Sequence, residues 1–313
     1  MNLLPNIANI EFTSGKQAGI SDMFEGAMPA LITPFTKDDR IDREGLQRNI
    51  EFVEEGGVAG IVPCGTTGES ATLSALEHEE LIDIAVECSK VPVIAGTGSN
   101  NTGEALQFTK HAADAGVDGV LLISPYYNKP NPAGLLAHFK KIAEAVDIPM
   151  ILYNVPSRTG QDMPVEVIAE LAKVENIVGI KEASGNIGKV SQILENTADE
   201  DFVVLSGEDG LTLPIISVGG RGVISVAANI VPDRMSRMVN AALAGDYETA
   251  RKIHFEVAPL IRALFLETNP IPVKKAAELA GFASGHLRLP LAPLGETNTQ
   301  KVVDELRKLG VIE

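Results

Sequence analysis

Eight short apolar runs, one about every 28 residues, constrain this chain more than any other feature. They begin near residues 27, 59, 92, 118, 149, 176, 202 and 222 and contain MPALIT, GIVPC, VIAG, GVLLIS, MILYN, IVGIKE, VVLS and VISV. Each run is apolar at nearly every position instead of alternating. That pattern is expected of parallel strands buried on both faces. Amphipathic helical stretches lie between the runs. Residues 43–55 place Leu46, Ile50 and Val53 on one side, and residues 75–89 do the same with Leu81, Ile84 and Ala85. The acids Glu77, Glu79, Glu80 and Asp83 fall opposite and read as a solvated helix face. Strand, loop and helix repeated eight times favour a closed α/β barrel over an open doubly wound sheet. Periodicity alone does not prove closure. No GxGxxG follows the first strand and no GxxxxGK[ST] occurs, which counts against a nucleotide-binding open sheet.

The chain has 313 residues, more than the ~250 a barrel uses. Residues 1–23 mix glycine, serine and proline with isolated apolar residues and read as a poorly ordered N-terminal extension. The barrel is expected over 24–245. Beyond 245 the strand signal stops, and 247–266, 272–280 and 299–309 read as helices of an appendage spanning 246–313. The expected fold is thus a (β/α)8 TIM barrel with a C-terminal helical appendage.

Apolar residues at 45% and charged residues at 22% exclude a disordered or collagenous chain. The net charge of −16 disfavours nucleic acid and anionic membrane as partners. No apolar run approaches the ~20 residues that span a bilayer, and no secretory signal is read at the N-terminus. Cys64 and Cys88 suggest no disulfide framework, so a cytoplasmic location is expected.

The working face of a barrel lies at the C-terminal ends of its strands. Reactive side chains gather at those ends here: Thr66, Thr67 and Glu69 after the second run, Tyr126 and Tyr127 after the fourth, and Tyr153 and Arg158 after the fifth. Lys181 and Glu182 end the sixth run, and Glu208 and Asp209 follow the seventh. Lys181 is the most informative, because burial lowers the pKa of an amine and a neutral lysine forms Schiff bases with carbonyl compounds. A structural ion pair is the other use of such a lysine. Tyr153, on the neighbouring strand, can supply an acid/base hydroxyl or be a plain core tyrosine. Thr66 and Thr67 sit between glycines, where backbone N–H groups and a following helix end can cradle an anion; a tight turn with an N-capping threonine is the alternative. Tyr126 and Tyr127, between two prolines, suggest a site, an interface or a stiff loop cover. Arg158 can bind a carboxylate or pair with a surface acid. The turn at 219–222 reads as a tight turn into the last strand in preference to a phosphate site. His78, His111, His138, His254 and His286 show no ligand spacing, and neither metal nor cofactor is expected.

At these residues the chain resembles the dihydrodipicolinate synthase family, within the pyruvate-dependent class I aldolases and lyases that include N-acetylneuraminate lyase. The carrying stretches are GTTGESATL at 65–73, AGTGSN at 95–100, PYYNKP at 125–130 and YNVPSRTG at 153–160. They continue with GIKEASG at 179–185, GVISVAAN at 222–229 and NPIPVK at 269–274. The resemblance runs from about residue 24 to the end. It implies that Lys181 forms the Schiff base with pyruvate, and that Tyr153, Thr66 and Tyr127 relay protons. It further implies that Thr67 and the Ile224 backbone bind the pyruvate carboxylate and that Arg158 binds aspartate semialdehyde. The implied reaction is the first committed step of lysine and diaminopimelate biosynthesis. A homotetramer is implied too, with Tyr127 reaching a neighbouring subunit's site.

A lysine effector site is implied at Ser70, Ala71, His78, Asn100, Glu104 and Tyr126. Ala75 departs from the basic residue common in inhibited members. The competing readings are a sugar-acid aldolase of the same superfamily, which usually lacks an arginine at position 158, and a non-catalytic binding barrel. Lys181, Tyr153, Thr66 and Tyr127 together argue against the latter.

Overall fold

The computed structural model describes residues 19–313. Seven strands form one parallel sheet: β1 (Gly26–Pro29), β2 (Ile94–Gly96), β3 (Gly119–Ile123), β4 (Met150–Asn154), β5 (Ile177–Glu182), β6 (Val203–Ser206) and β7 (Gly222–Ser225), in the order β1-β7-β6-β5-β4-β3-β2. The second apolar run makes only parallel bridges, Ala30↔Val62 and Ile61↔Val93. Those bridges join the two ends of the sheet, so eight segments close a ring, as the repeat predicts. The backbone N–H of Val62 donates to the Pro29 carbonyl and that of Ile94 to the Ile61 carbonyl, each at 2.9 Å.

Two-sided burial explains the unbroken apolar runs. Met28, Val62, Ile94, Leu121, Ile151, Val178, Val203 and Ile224, one from each run, pack together inside the ring. Ile61, Val93, Val120, Leu152, Ile177 and Val204 face the helices. One register irregularity matters. Met150 pairs with Ile177, but Ile151 pairs with Gly179, so Val178 is an extra residue on β5. A bulge of this kind re-aims every side chain that follows it.

The helices follow the expected order: α1 (Arg43–Glu55), α2 (Ala75–Cys88), α3 (Thr102–Ala115), α4 (Pro132–Ala145), α5 (Pro156–Thr159), α6 (Val165–Ala172), α7 (Ile187–Asn196), α8 (Thr212–Ser217), α9 (Pro232–Leu243), α10 (Tyr247–Ala263), α11 (Ile271–Leu279) and α12 (Glu296–Lys308). Side-chain caps fix several starts. Asp42 accepts from the Gly45 N–H and Ser74 from the Glu77 N–H. The last three helices form the appendage. Their apolar residues Ile253, Val257, Leu260, Val273, Val302 and Leu306 share one core with Met235, Met238 and Val239 of α9.

Of the stretch read as an extension, residues 1–18 lie outside the described residues. Ile20–Phe24 forms a 3-10 turn, with Ser21 bonded to Asp201 and Phe24 buried in the ring interior. The turn at 219–222 lies at the start of β7, the end opposite the strand termini, where Arg221 Nε donates to Glu25 Oε1 at 2.5 Å. The acids of α2 are not simply solvated. Glu77 pairs with Arg288, and Asp83 with His111. No helix among the described residues is long and apolar enough to cross a membrane.

Candidate active site

Lys181 and Tyr153 sit at the C-terminal ends of β5 and β4 and are register partners. The bulge at Val178 makes them so; without the extra residue, Ile180 would stand opposite Tyr153. Lys181 Nζ lies 4.3 Å from the Tyr153 ring centroid. Only 6% of Lys181 and 7% of Tyr153 remain exposed. Burial pushes the Lys181 amine down to about 7. The nearby Asp209 carboxylate opposes that shift, while Arg158 adds to it. Burial pushes the Tyr153 phenol up to about 12, opposed by Arg158 and by a hydrogen bond with the Thr66 hydroxyl. The site thus holds an amine that is half neutral near pH 7 beside a phenol that keeps its proton.

Asp209, whose charge acts on the lysine, is itself buried. Its Oδ2 accepts from the Val226 and Ala227 N–H groups at 3.0 and 2.9 Å. Burial raises its pKa, against the Ser225 hydrogen bond and those two N–H groups. One rung past Tyr153 and Lys181, Asn154 Nδ2 donates to Glu182 Oε2 at 2.9 Å. That buried pair ties the ends of β4 and β5 together.

Two cavities open on this face. One, of about 430 Å3, is lined by Thr66, Thr67, Tyr153, Arg158, Lys181 and Glu208, among others. The other, of about 410 Å3, is lined by Ser70, Ala71, His78, Glu104, Tyr126 and neighbouring residues. Thr66, Tyr153 and Arg158 border both. Of the six residues implied for an effector, Asn100 alone does not line the second cavity; its carbonyl accepts from Asn128 Nδ2 at 2.8 Å. Ile224 is buried and packs in the same apolar cluster as Tyr153. Tyr127 does not join the others within this chain. It is 88% exposed, at φ +68°, and lines neither cavity.

The helix end expected directly after Thr67 is displaced. A three-residue 3-10 turn, Ser70–Thr72, follows the loop, and α2 starts only at Ala75. Ser74 and Glu77 cap α2 reciprocally: the Glu77 N–H donates to Ser74 Oγ and the Ser74 N–H to Glu77 Oε2. The glycines serve shape: a Cβ on Gly68 would lie 3.1 Å from both the Leu31 carbonyl oxygen and Thr33 Oγ1.

Sequence reasoning missed the appendage's share of the site. Arg262, Phe265 and Asn269 line the Lys181 cavity. Asn269 Nδ2 donates to Thr67 Oγ1 at 2.9 Å, and its carbonyl accepts from Arg158 Nη2 at 3.0 Å. The NPIPVK stretch, which carries Asn269, was the available signal.

A model of the dihydrodipicolinate synthetase family matches residues 23–309. The chain belongs to that family. A 4-hydroxy-tetrahydrodipicolinate synthase from Methanosarcina barkeri is 94% identical over 93% of this chain and 100% of that protein. One from Methanothrix thermoacetophila is 56% identical over 92% and 97%. Among solved structures, dihydrodipicolinate synthase from Aquifex aeolicus is 45% identical with a TM-score of 0.90, covering 92% of this chain and 99% of that one. One from Cyanidioschyzon merolae, solved with lysine bound, is 41% identical with a TM-score of 0.89, covering 93% and 99%.

Proposed function

We propose that the chain condenses pyruvate with L-aspartate 4-semialdehyde through a Schiff base on Lys181, as a 4-hydroxy-tetrahydrodipicolinate synthase. The observation that carries this reading is the buried Lys181–Tyr153 register pair on a cavity that also holds Thr66, Thr67 and Arg158. The neutral Lys181 amine attacks the pyruvate ketone carbon. Through Tyr153 a proton passes from the attacking nitrogen to the carbonyl oxygen, giving a hydroxyl. Tyr153 then gives its own proton, the hydroxyl leaves as water, and the protonated C=N bond forms. The phenolate left behind is the base for the methyl proton lost next. Loss of a methyl proton gives an enamine. Its carbon attacks the aldehyde, whose oxygen becomes the hydroxyl of the product. The substrate's own amine then displaces Lys181, closing the ring and freeing the enzyme.

In this reading Thr67 and the Ile224 backbone hold the pyruvate carboxylate, and Arg158 holds that of aspartate semialdehyde in bidentate fashion. Thr66 carries protons between Tyr153 and solvent or Tyr127. The exposed Tyr127 reaches the site of a second subunit within a homotetramer. The cavity lined by Ser70, Ala71, His78, Glu104 and Tyr126 is read as a lysine effector pocket; the relative solved with lysine bound supports this, while Ala75, in place of the basic residue common in inhibited members, argues against sensitivity to lysine. The deciding experiment is incubation with pyruvate and borohydride followed by peptide mass analysis. Adduct on Lys181 is expected. Adduct on another lysine, or none, overturns the reading.

A further inference from the structure

The appendage reaches the working end of the barrel through a buried clamp on Glu69. Lys274 Nζ donates to Glu69 Oε1 at 2.5 Å, and the Arg288 backbone N–H donates to Glu69 Oε2 at 3.1 Å. Both carboxylate oxygens are held from more than 200 residues away in sequence. Lys274 is fully buried and Glu69 nearly so. The Phe35 ring centroid lies 4.4 Å from Lys274 Nζ and 4.1 Å from Arg288 Cζ. A dry ion pair is a poor device for stability alone, because well-packed apolar residues of similar volume serve a fold as well or better.

Its position points to geometry. Glu69 is left-handed at φ +55°, and so is Cys64 at φ +57°. Between them the Gly68 N–H bonds the Gly65 carbonyl and the Glu69 N–H bonds the Thr66 carbonyl, both at 3.1 Å. The resulting coil sets Thr67 against the Lys181 cavity. Left-handed backbone at a residue with a side chain persists only where the surroundings over-determine it. Asn269, five residues before Lys274, donates to the Thr67 hydroxyl oxygen, which leaves the hydroxyl hydrogen for an acceptor in the cavity.

We propose that Glu69 and Lys274 are positioning residues: their ion pair holds the 65–69 loop in the shape that lets Thr67 bind the carboxylate of the first substrate. This inference rests on the Schiff-base reading above.

Glu69→Gln and Lys274→Met, singly and together, test it by two measurements: the pyruvate concentration that half-saturates borohydride trapping on Lys181, and thermal Tm. Half-saturation is expected to rise about tenfold or more in each single variant, the scale of one lost charge-assisted hydrogen bond. It should rise no further in the double variant, and trapping at saturating pyruvate should stay within about threefold. A merely structural pair lowers Tm and leaves half-saturation of the folded protein unchanged; that result overturns the proposal. An additive rise in the double variant overturns the pair as the acting unit. Should Lys274→Met not fold, the near-isosteric Glu69→Gln decides by the same readout. No trapping on Lys181 in the unaltered protein overturns the Schiff-base reading itself. Normal trapping there, with unchanged half-saturation in the variants, overturns this inference alone.

Discussion

Tyr153 and Lys181 face each other across β4 and β5, with Lys181 Nζ 4.3 Å from the centre of the phenol ring. Burial moves the two groups in opposite directions: the amine sheds its proton more readily and the phenol holds its own more tightly. A nucleophile and a proton donor are thus poised together near neutrality by one physical cause.

The first expected outcome is a pH profile. Lys181 attacks only when neutral, and its pKa is about 7. The rate of Schiff-base formation with pyruvate should therefore fall about tenfold per pH unit below 7 and level off above it. Rapid-mixing measurement of kcat/KM for pyruvate checks this. A midpoint near the ordinary lysine value would mean that the amine stays charged at neutrality and that Asp209, not burial, dominates.

The same shift has a cost in stability. The folded pKa of Lys181 lies below its ordinary value of 10.5, so between about pH 7 and 10.5 the unfolded chain binds the extra proton. Stability from this group thus rises with pH through that window. Lys181→Met removes the term and should be more stable than the unaltered protein by about 1–4 kcal/mol at pH 7. The gap should narrow as pH approaches about 9.5. Matched Tm measurements decide. A lower Tm for the variant at pH 7 would show that Lys181 is held as an ammonium ion stabilising the buried Asp209.

Much of this was legible from residue pattern. Parallel strands buried on both faces leave continuous apolar runs, so all eight segments could be counted, although the second makes only bridges. Helix limits were legible where caps or periodicity marked them, as in Arg43–Glu55. The Val178 bulge was not legible. Nothing in Ile-Val-Gly-Ile distinguishes a regular strand from one with an extra residue, yet that residue decides whether Ile180 or Lys181 meets Tyr153. The Glu69–Lys274 pair was equally hidden, because local pattern carries no signal across 205 residues. The expected helix end does not adjoin Thr67 for a local reason: a 3-10 turn at Ser70–Thr72 intervenes and α2 starts only at Ala75.

Arg158 allows a sharper test of substrate roles. Arg158 lines both cavities, and its guanidinium donates to the Asn269 carbonyl. Arg158→Lys keeps the positive charge that depresses the Lys181 pKa but loses the planar fork. KM for aspartate semialdehyde should rise roughly ten- to hundredfold, while pyruvate trapping on Lys181 changes less than about threefold. Steady-state kinetics with both substrates, alongside trapping, separate the two steps. Equal damage to both would make Arg158 a structural residue.

The last expected outcome concerns Tyr127, whose side chain lies outside both cavities of its own chain. If it completes a partner's relay, a two-fold interface exchanges the same loop in both directions. Tyr153→Phe and Tyr127→Phe should each be nearly inactive, because every site then lacks one hydroxyl. Dissociated, mixed and reassociated, the two variants form mixed dimers in which one site carries both changes and the other neither. Random equal mixing makes half the dimers mixed, and half of their sites are intact. Activity should return to about a quarter of that of the unaltered protein. Mass spectrometry of isotopically labelled subunits verifies the exchange. With exchange verified and activity still at the level of the single variants, Tyr127 would act within its own chain, and its loop would have to close over the Lys181 cavity from the same subunit.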